Sequence, residues 1–168
     1  MSRQDELGEF TDFVMGYQGK MVRLAELLTG DRGRAEDLAQ DGFAKAYAAW
    51  NRIRGGDPAA YVRRCIINAN TDWWRRRFRY EQPTPQVPED SVQVDLAAAS
   101  AARDLVLRAL AKLSSRERAV LALRFYLDLS ELQIAQELGI SPGTVKSAAS
   151  RALGKLRADA ELRSEVAS

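Results

Sequence analysis

The chain has 168 residues, 46% of them hydrophobic and 29% charged, with a formal net charge of +2. That length gives room for one ordinary domain or two small ones, each with a modest core, in a composition typical of a globular protein. The near-neutral balance excludes a uniformly polybasic binder, the lack of histidine weakens any acid–base site, and the single cysteine, Cys65, excludes an intrachain disulfide.

In chain order, residues 1–10 have neither a basic start nor an apolar run, so no signal peptide is read, and no apolar stretch is long enough to span a bilayer. The expectation is a soluble, cytoplasmic protein. Phe10, Phe13, Val14, Tyr17, Met21, Leu24 and Leu28 recur three or four apart, the stripe of an amphipathic helix. Gly30 is its stop and Asp31 the cap of a second helix, whose apolar face is Ala35, Leu38, Ala39, Phe43, Ala46, Tyr47 and Trp50. Residues 51–56 end in two glycines and read as a loop. Asp57-Pro58 restarts a helix through Val62, Ile66, Ala69 and Trp73 into Arg75-Arg76-Arg77.

Periodicity lapses over residues 81–100, where Pro83, Pro85 and Pro88 predict an extended linker with an acidic stretch. It returns at Val106, Ala109, Leu110 and Leu113. Ser114 and Glu117 form a capping box for a helix through Val120, Leu121 and Arg124, and residues 130–138 and 141–160 predict two more. No segment alternates as a strand does. The expected fold is all-α: two small helical domains, residues 1–80 and 101–168, joined by the linker 81–100.

The most specific motif lies in residues 130–156. Small Ala135 precedes Gly139 by four residues, and Val145 follows six later, the spacing of a helix-turn-helix. A small residue lets the second helix cross close by, glycine supplies the positive φ of the sharp turn, and Val145 fills the wedge with Ile134, Leu138, Ile140 and Ala148. The second helix turns Val145, Ala149, Ala152, Leu153 and Leu156 inward. Thr144, Lys146, Ser147, Ser150, Arg151 and Lys155 face outward, where they reach base edges and phosphates if the helix enters a major groove. A solvated basic face on a helical hairpin would share the charge but not this combination of small residue, glycine, valine and Ser-Pro cap.

Two other clusters are less specific. Residues 63–79 hold six arginines against one aspartate, and with Asn68, Asn70, Trp73 and Trp74 they suit melted DNA. The same residues also suit a core tryptophan and a helix end whose arginines answer the macrodipole. Glu36, Asp37 and Asp41 lie near a helix start, where carboxylates usually complement the dipole. With no phosphate-binding glycine loop either, catalysis by this chain is not expected.

Residues 35–43, reading Ala-Glu-Asp-Leu-Ala-Gln-Asp-Gly-Phe, resemble the polymerase-binding helix of sigma factors. Tyr61-Val62-Arg63-Arg64, Asn68, Asp72 and Arg75-Arg76-Arg77 resemble the promoter-melting helix that follows it. Residues 130–156, with the Pro-Gly-Thr-Val-Lys-Ser run at 142–147, resemble the family's DNA-binding helix-turn-helix. The three occur in the family's order across nearly the whole chain. With only these two domains the chain is similar to the extracytoplasmic-function (ECF) class of the sigma-70 family, and Thr71-Asp72-Trp73-Trp74 gives it an actinobacterial look. Two positions depart from the family pattern: Tyr61 stands where tryptophan is usual, and Ser150 where a bulky residue is common.

The resemblance implies roles. Asp37, Leu38, Gln40, Asp41 and Phe43 would dock on core RNA polymerase. Arg54, Gly55, Gly56, Asp57 and Asn68 would capture an unstacked base of the minus-ten element, with Arg75, Arg76 and Arg77 on backbone phosphates. Arg124, Thr144, Lys146, Ser147, Ser150, Arg151 and Lys155 would read the minus-thirty-five element. Core polymerase and promoter DNA are the implied partners, with an anti-sigma factor as a further family expectation; no cofactor, metal or membrane contact is implied. About twenty linker residues span up to roughly 65 Å when extended, enough to separate two contact points on one duplex. The rival readings are an autonomous helix-turn-helix regulator, which would ordinarily dimerise, and an adaptor that binds polymerase but not promoters.

Overall fold

Serine and aspartate side chains satisfy the first backbone N–H groups of most of the helices, and those caps set where the elements begin. The computed structural model describes residues 2–80 and 98–167, which form helices and short turns, with no strand among the described residues. The chain divides into two units, Met1–Arg76 and Arg77–Ser168.

In the first unit, α1 (Arg3–Thr29) begins well before the predicted stripe because Ser2 and Asp5 form a capping box: the Asp5 N–H donates to Ser2 Oγ at 3.2 Å, and the Ser2 N–H to Asp5 Oδ2 at 3.2 Å. Gly30 ends it at φ 73°, donating its N–H to the Glu26 carbonyl. Asp31 caps α2 (Arg32–Ala48) by accepting from the Arg34 N–H at 3.2 Å. The second helix does not run through Trp50 as the apolar pattern predicts. It breaks at Ala49, and a short α3 (Trp50–Ile53) follows, so the expected loop at 51–56 contracts to residues 54–57. Asp57 then caps α4 (Pro58–Tyr80) through the Ala60 N–H at 3.0 Å.

Met21, Leu24 and Leu28 from α1, Ala35, Ala39 and Ala46 from α2, and Val62 and Ile66 from α4 make the core of this unit. Phe10, Phe13, Phe43 and Trp50 extend it with ring centroids 5.1 to 5.7 Å apart between α1 and the residues it packs on. Gly42 permits the approach of α2 to α4: a Cβ there would lie 3.1 Å from Val62 Cγ1 and 3.5 Å from the Val62 carbonyl oxygen. Each large apolar side chain so buried stabilises the unit by about 1.5–3 kcal/mol.

In the second unit, α5 (Ala98–Ala111) takes up residues 98–100, which the sequence pattern assigns to the linker; the rest of that expected linker, residues 81–97, lies outside the described residues. Ser114 and Glu117 form the predicted capping box of α6 (Ser115–Leu121). The pattern through Arg124 suggests one regular helix, but the backbone widens into a π-helical segment, Ala122–Tyr126, closed by the Leu127 N–H on the Ala122 carbonyl at 3.3 Å. The non-glycine Asp128, at φ 54°, then turns the chain toward α7 (Glu131–Leu138). Ser130 and Gln133 cap α7 reciprocally. Gly139, at φ 65°, turns the chain into α8 (Pro142–Ala167), which outlasts the predicted end at 160. Val120, Leu123, Ile134, Val145, Ala148, Ala149 and Ala152 are all buried between α6, α7 and α8.

Candidate nucleic-acid interface

The helix-turn-helix geometry follows from backbone chemistry at one turn. The Ala135 carbonyl accepts from both the Gly139 N–H and, at 3.1 Å, the Ile140 N–H, so the end of α7 is satisfied within the turn itself. Ser141 then caps α8, its Oγ accepting from the Thr144 N–H at 3.1 Å and lying 2.8 Å from Thr144 Oγ1. With Ala135 and Val145 buried, Lys146, Ser147, Ser150 and Arg151 stand exposed along one face of α8. Thr144 is half-buried and its hydroxyl is engaged with Ser141. Lys155 is exposed too, but its ammonium is engaged: it donates to Glu117 Oε1 at 2.7 Å. Burial pushes the Glu117 carboxyl up, but the Lys155 ammonium and the Ser114 backbone and hydroxyl outweigh it and hold the group below its ordinary value. Arg124 is exposed on the π-helical segment beside exposed Phe125, its guanidinium carbon 5.6 Å from that ring's centroid.

On α4, Arg64, Asn68, Asp72, Arg75 and Arg76 are exposed at intervals of four, four, three and one, a single polar stripe. Arg64 belongs to it; the sequence places it in the basic cluster of residues 63–79 without a role of its own, and the i+4 spacing to Asn68 is the signal that marks it. Arg77 is half-buried. The turn before α4 is tied down at both ends. Arg54 forms a two-point ion pair with Glu9 of α1, at 3.2 and 2.8 Å, and Asp57 caps α4 while lying 4.0 Å from Arg63. Gly55 and Gly56 are exposed between them. Trp73 is not an open stacking platform. Arg34 covers one face of it and bonds to Asn70 Oδ1 at 3.3 Å, while Trp74 meets it edge-on at 5.0 Å. Asn70 is buried and therefore structural.

On α2, Asp37, Gln40 and Asp41 are exposed one turn apart and Leu38 is half-buried beside them. Phe43, expected among the docking residues, is 7% exposed with its ring 5.7 Å from that of Phe13, so it lies beneath this face in the isolated chain. The reason is the helical period: Ala35, Ala39, Phe43 and Ala46 share the inward stripe.

Two helical units in this order, the second a helix-turn-helix with an exposed polar face, define a transcription-factor architecture. Residues 13–80 match the family description "Sigma-70 region 2" and residues 103–156 match "Sigma-70, region 4". Among characterised proteins, the RNA polymerase sigma-E factor of Streptomyces coelicolor is 39% identical over 90% of this chain and 86% of its own length. ECF RNA polymerase sigma factor SigL of Mycobacterium tuberculosis is 36% identical over 80% and 79%. In fold, the chain resembles the sigma factor RpoE of Bartonella quintana, solved with the anti-sigma factor NepR, at a TM-score of 0.67 and 23% identity over 88% of this chain and 94% of that one. It also resembles CnrH, solved with the cytosolic domain of CnrY, at 0.65 and 23% over 91% and 88%. The chain belongs to the sigma-70 family of RNA polymerase sigma factors, in its ECF class. The Streptomyces relatives agree with the actinobacterial look of the sequence.

Proposed function

We propose that this sigma factor divides its work between its two units: residues 1–80 bind core RNA polymerase and the minus-ten element, residues 101–168 read the minus-thirty-five element, and the segment between them links the two. The observation that carries this reading is the division of α8 into a fully buried face and an exposed one bearing Lys146, Ser147, Ser150 and Arg151. Asp37, Gln40 and Asp41, with Leu38 at their edge, form the polymerase-docking surface. The exposed turn at Gly55, Gly56 and Asp57, with Asn68, takes the flipped minus-ten base. Arg75 and Arg76, with Arg77 at the margin, hold phosphates, and Arg64 joins them. Arg54 acts through Glu9, shaping the turn. Arg124 and Thr144 complete the minus-thirty-five set.

The chain works as a binding factor and not as an enzyme. It has no histidine, and burial pushes the Cys65 thiol up, with Lys45 pulling partly against it, so the thiolate is disfavoured. Its place of action is the cytoplasm, where polymerase and promoter DNA are found; among the described residues no helix is long and apolar enough to cross a membrane. An anti-sigma factor belongs to the same reading, since the solved relative RpoE was captured with one.

Co-purification with core RNA polymerase, followed by run-off transcription on genomic fragments, tests the proposal. Polymerase binding with new promoter-specific transcripts is the expected result. Polymerase binding without transcripts would turn the reading toward an adaptor, and DNA binding without polymerase toward an autonomous regulator.

A further inference from the structure

Along α8, Ala148, Ala152, Lys155 and Asp159 follow at intervals of four, three and four, so exposed Lys155 and half-buried Asp159 extend from the same side of the helix as the buried stripe. Each meets an opposite charge. Lys155 donates to Glu117 Oε1 at 2.7 Å, and Asp159 accepts from Lys112 in the turn between α5 and α6. Glu117 is 2% exposed, and its other oxygen, Oε2, is buried without a hydrogen bond, so its charge is answered chiefly by Lys155 and the Ser114 cap. The order of charge is reversed between the two sides: cation then anion along α8, anion at 117 and cation at 112 opposite. A slip of α8 by one turn, about 5.4 Å, would set like charges against each other, which such arrangements penalise.

We propose that Lys155 is a positioning residue and not a DNA contact. With Glu117, and with the Asp159–Lys112 pair one turn on, it locks the axial register and roll of α8, and so fixes the angle at which Lys146, Ser147, Ser150 and Arg151 meet base edges. This rests on the reading of α8 as the minus-thirty-five recognition helix. A lysine held on a buried carboxylate is poorly placed to neutralise a phosphate, and its contribution is to specificity.

The two roles separate in salt dependence. A duplex pool randomised over the minus-thirty-five segment is enriched with the wild-type chain assembled on core polymerase. Affinity for the enriched and a scrambled duplex is then measured at several salt concentrations for wild type, Lys155→Met, Glu117→Gln and the double variant. Gln at 117 keeps the capping box and replaces the carboxylate with a neutral amide. The expected result is a specificity ratio lowered about tenfold, the scale of one mismatched base pair, equally in both single variants and no further in the double. The salt slope should stay that of wild type. If Lys155→Met instead flattens the slope by about 0.9, the loss of one phosphate contact, while Glu117→Gln keeps the ratio, the proposal is overturned. Unchanged ratios in every variant overturn it too. Lys112→Met, at an exposed side chain, decides the matter if the buried-site variants fail to fold: a lower ratio at constant slope supports the clamp, and an unchanged ratio rejects it. A wild-type pool that enriches no sequence rejects the recognition-helix reading itself, and the clamp's role with it.

Discussion

Arg34 lies over Trp73, its guanidinium carbon 3.5 Å from the ring centroid, and so joins the first turn of α2 to the far half of α4. The same side chain bonds to buried Asn70 at 3.3 Å. The helix that carries the proposed polymerase-docking carboxylates is thereby fastened to the helix that carries Asn68 and the arginines proposed to hold phosphates.

Arg34→Ala removes both the cation–π contact and the hydrogen bond to a buried amide. We expect it to destabilise the first unit by about 1–3 kcal/mol, read as a lower urea midpoint at constant slope. Trp73 should become more accessible to an aqueous fluorescence quencher. An unchanged midpoint would mean that the stacked guanidinium adds nothing.

Gly42 is the contact point of α2 with α4, and a side chain there crowds Val62 Cγ1, which must give way. Gly42→Val is expected to cost about 1–3 kcal/mol by overpacking, although valine is the better helix former. The second unit should melt as before, a contrast that differential scanning calorimetry can resolve.

Glu117 makes the stability of the second unit depend on pH. Its carboxyl is held below its ordinary value in the folded chain, against the push of burial, by Lys155 and Ser114. The contribution is therefore complete above the unfolded value and is lost as pH falls through the lower, folded one. Glu117→Gln should be less stable than wild type at neutral pH, and the gap should narrow as the solution is acidified below the ordinary carboxylate range. A gap independent of pH would show that the ion pair contributes nothing to stability.

The exposed faces give separable functional losses. Arg151→Ala should weaken binding to the enriched minus-thirty-five duplex by about 1–3 kcal/mol if the side chain reads a base. The double change Asp37→Lys and Asp41→Lys should abolish assembly with core polymerase in a pull-down, while the full chain keeps its affinity for that duplex. Transcription unaltered by both sets of changes would show that the residue assignments are misplaced within the correct family.

Much of this protein is legible in its sequence because the deciding interactions are local. The capping boxes at Ser114 and Ser130, the Asp31 and Asp57 caps and the left-handed turns at Gly30 and Gly139 each involve residues within about one helical turn. The buried and exposed faces of α8 follow from a period of 3.6 in the same way. The helix-turn-helix and the motif at residues 35–43 therefore stand out in the sequence by itself.

What only the tertiary structure decided is which charged and aromatic groups are already engaged across elements. Lys155 and Arg54 look like free cations in the sequence, yet each is paired with a carboxylate brought from another helix, Glu117 and Glu9. Trp73 looks like a stacking platform and is covered by Arg34; Phe43 looks like part of a docking surface and lies against Phe13. The break at Ala49 and the π-helical widening at Ala122–Tyr126 also lay beyond the pattern. A helical period reports which face of a helix turns inward. The partner that a side chain meets there depends on the packing of residues distant in the chain, through contacts that local periodicity does not encode.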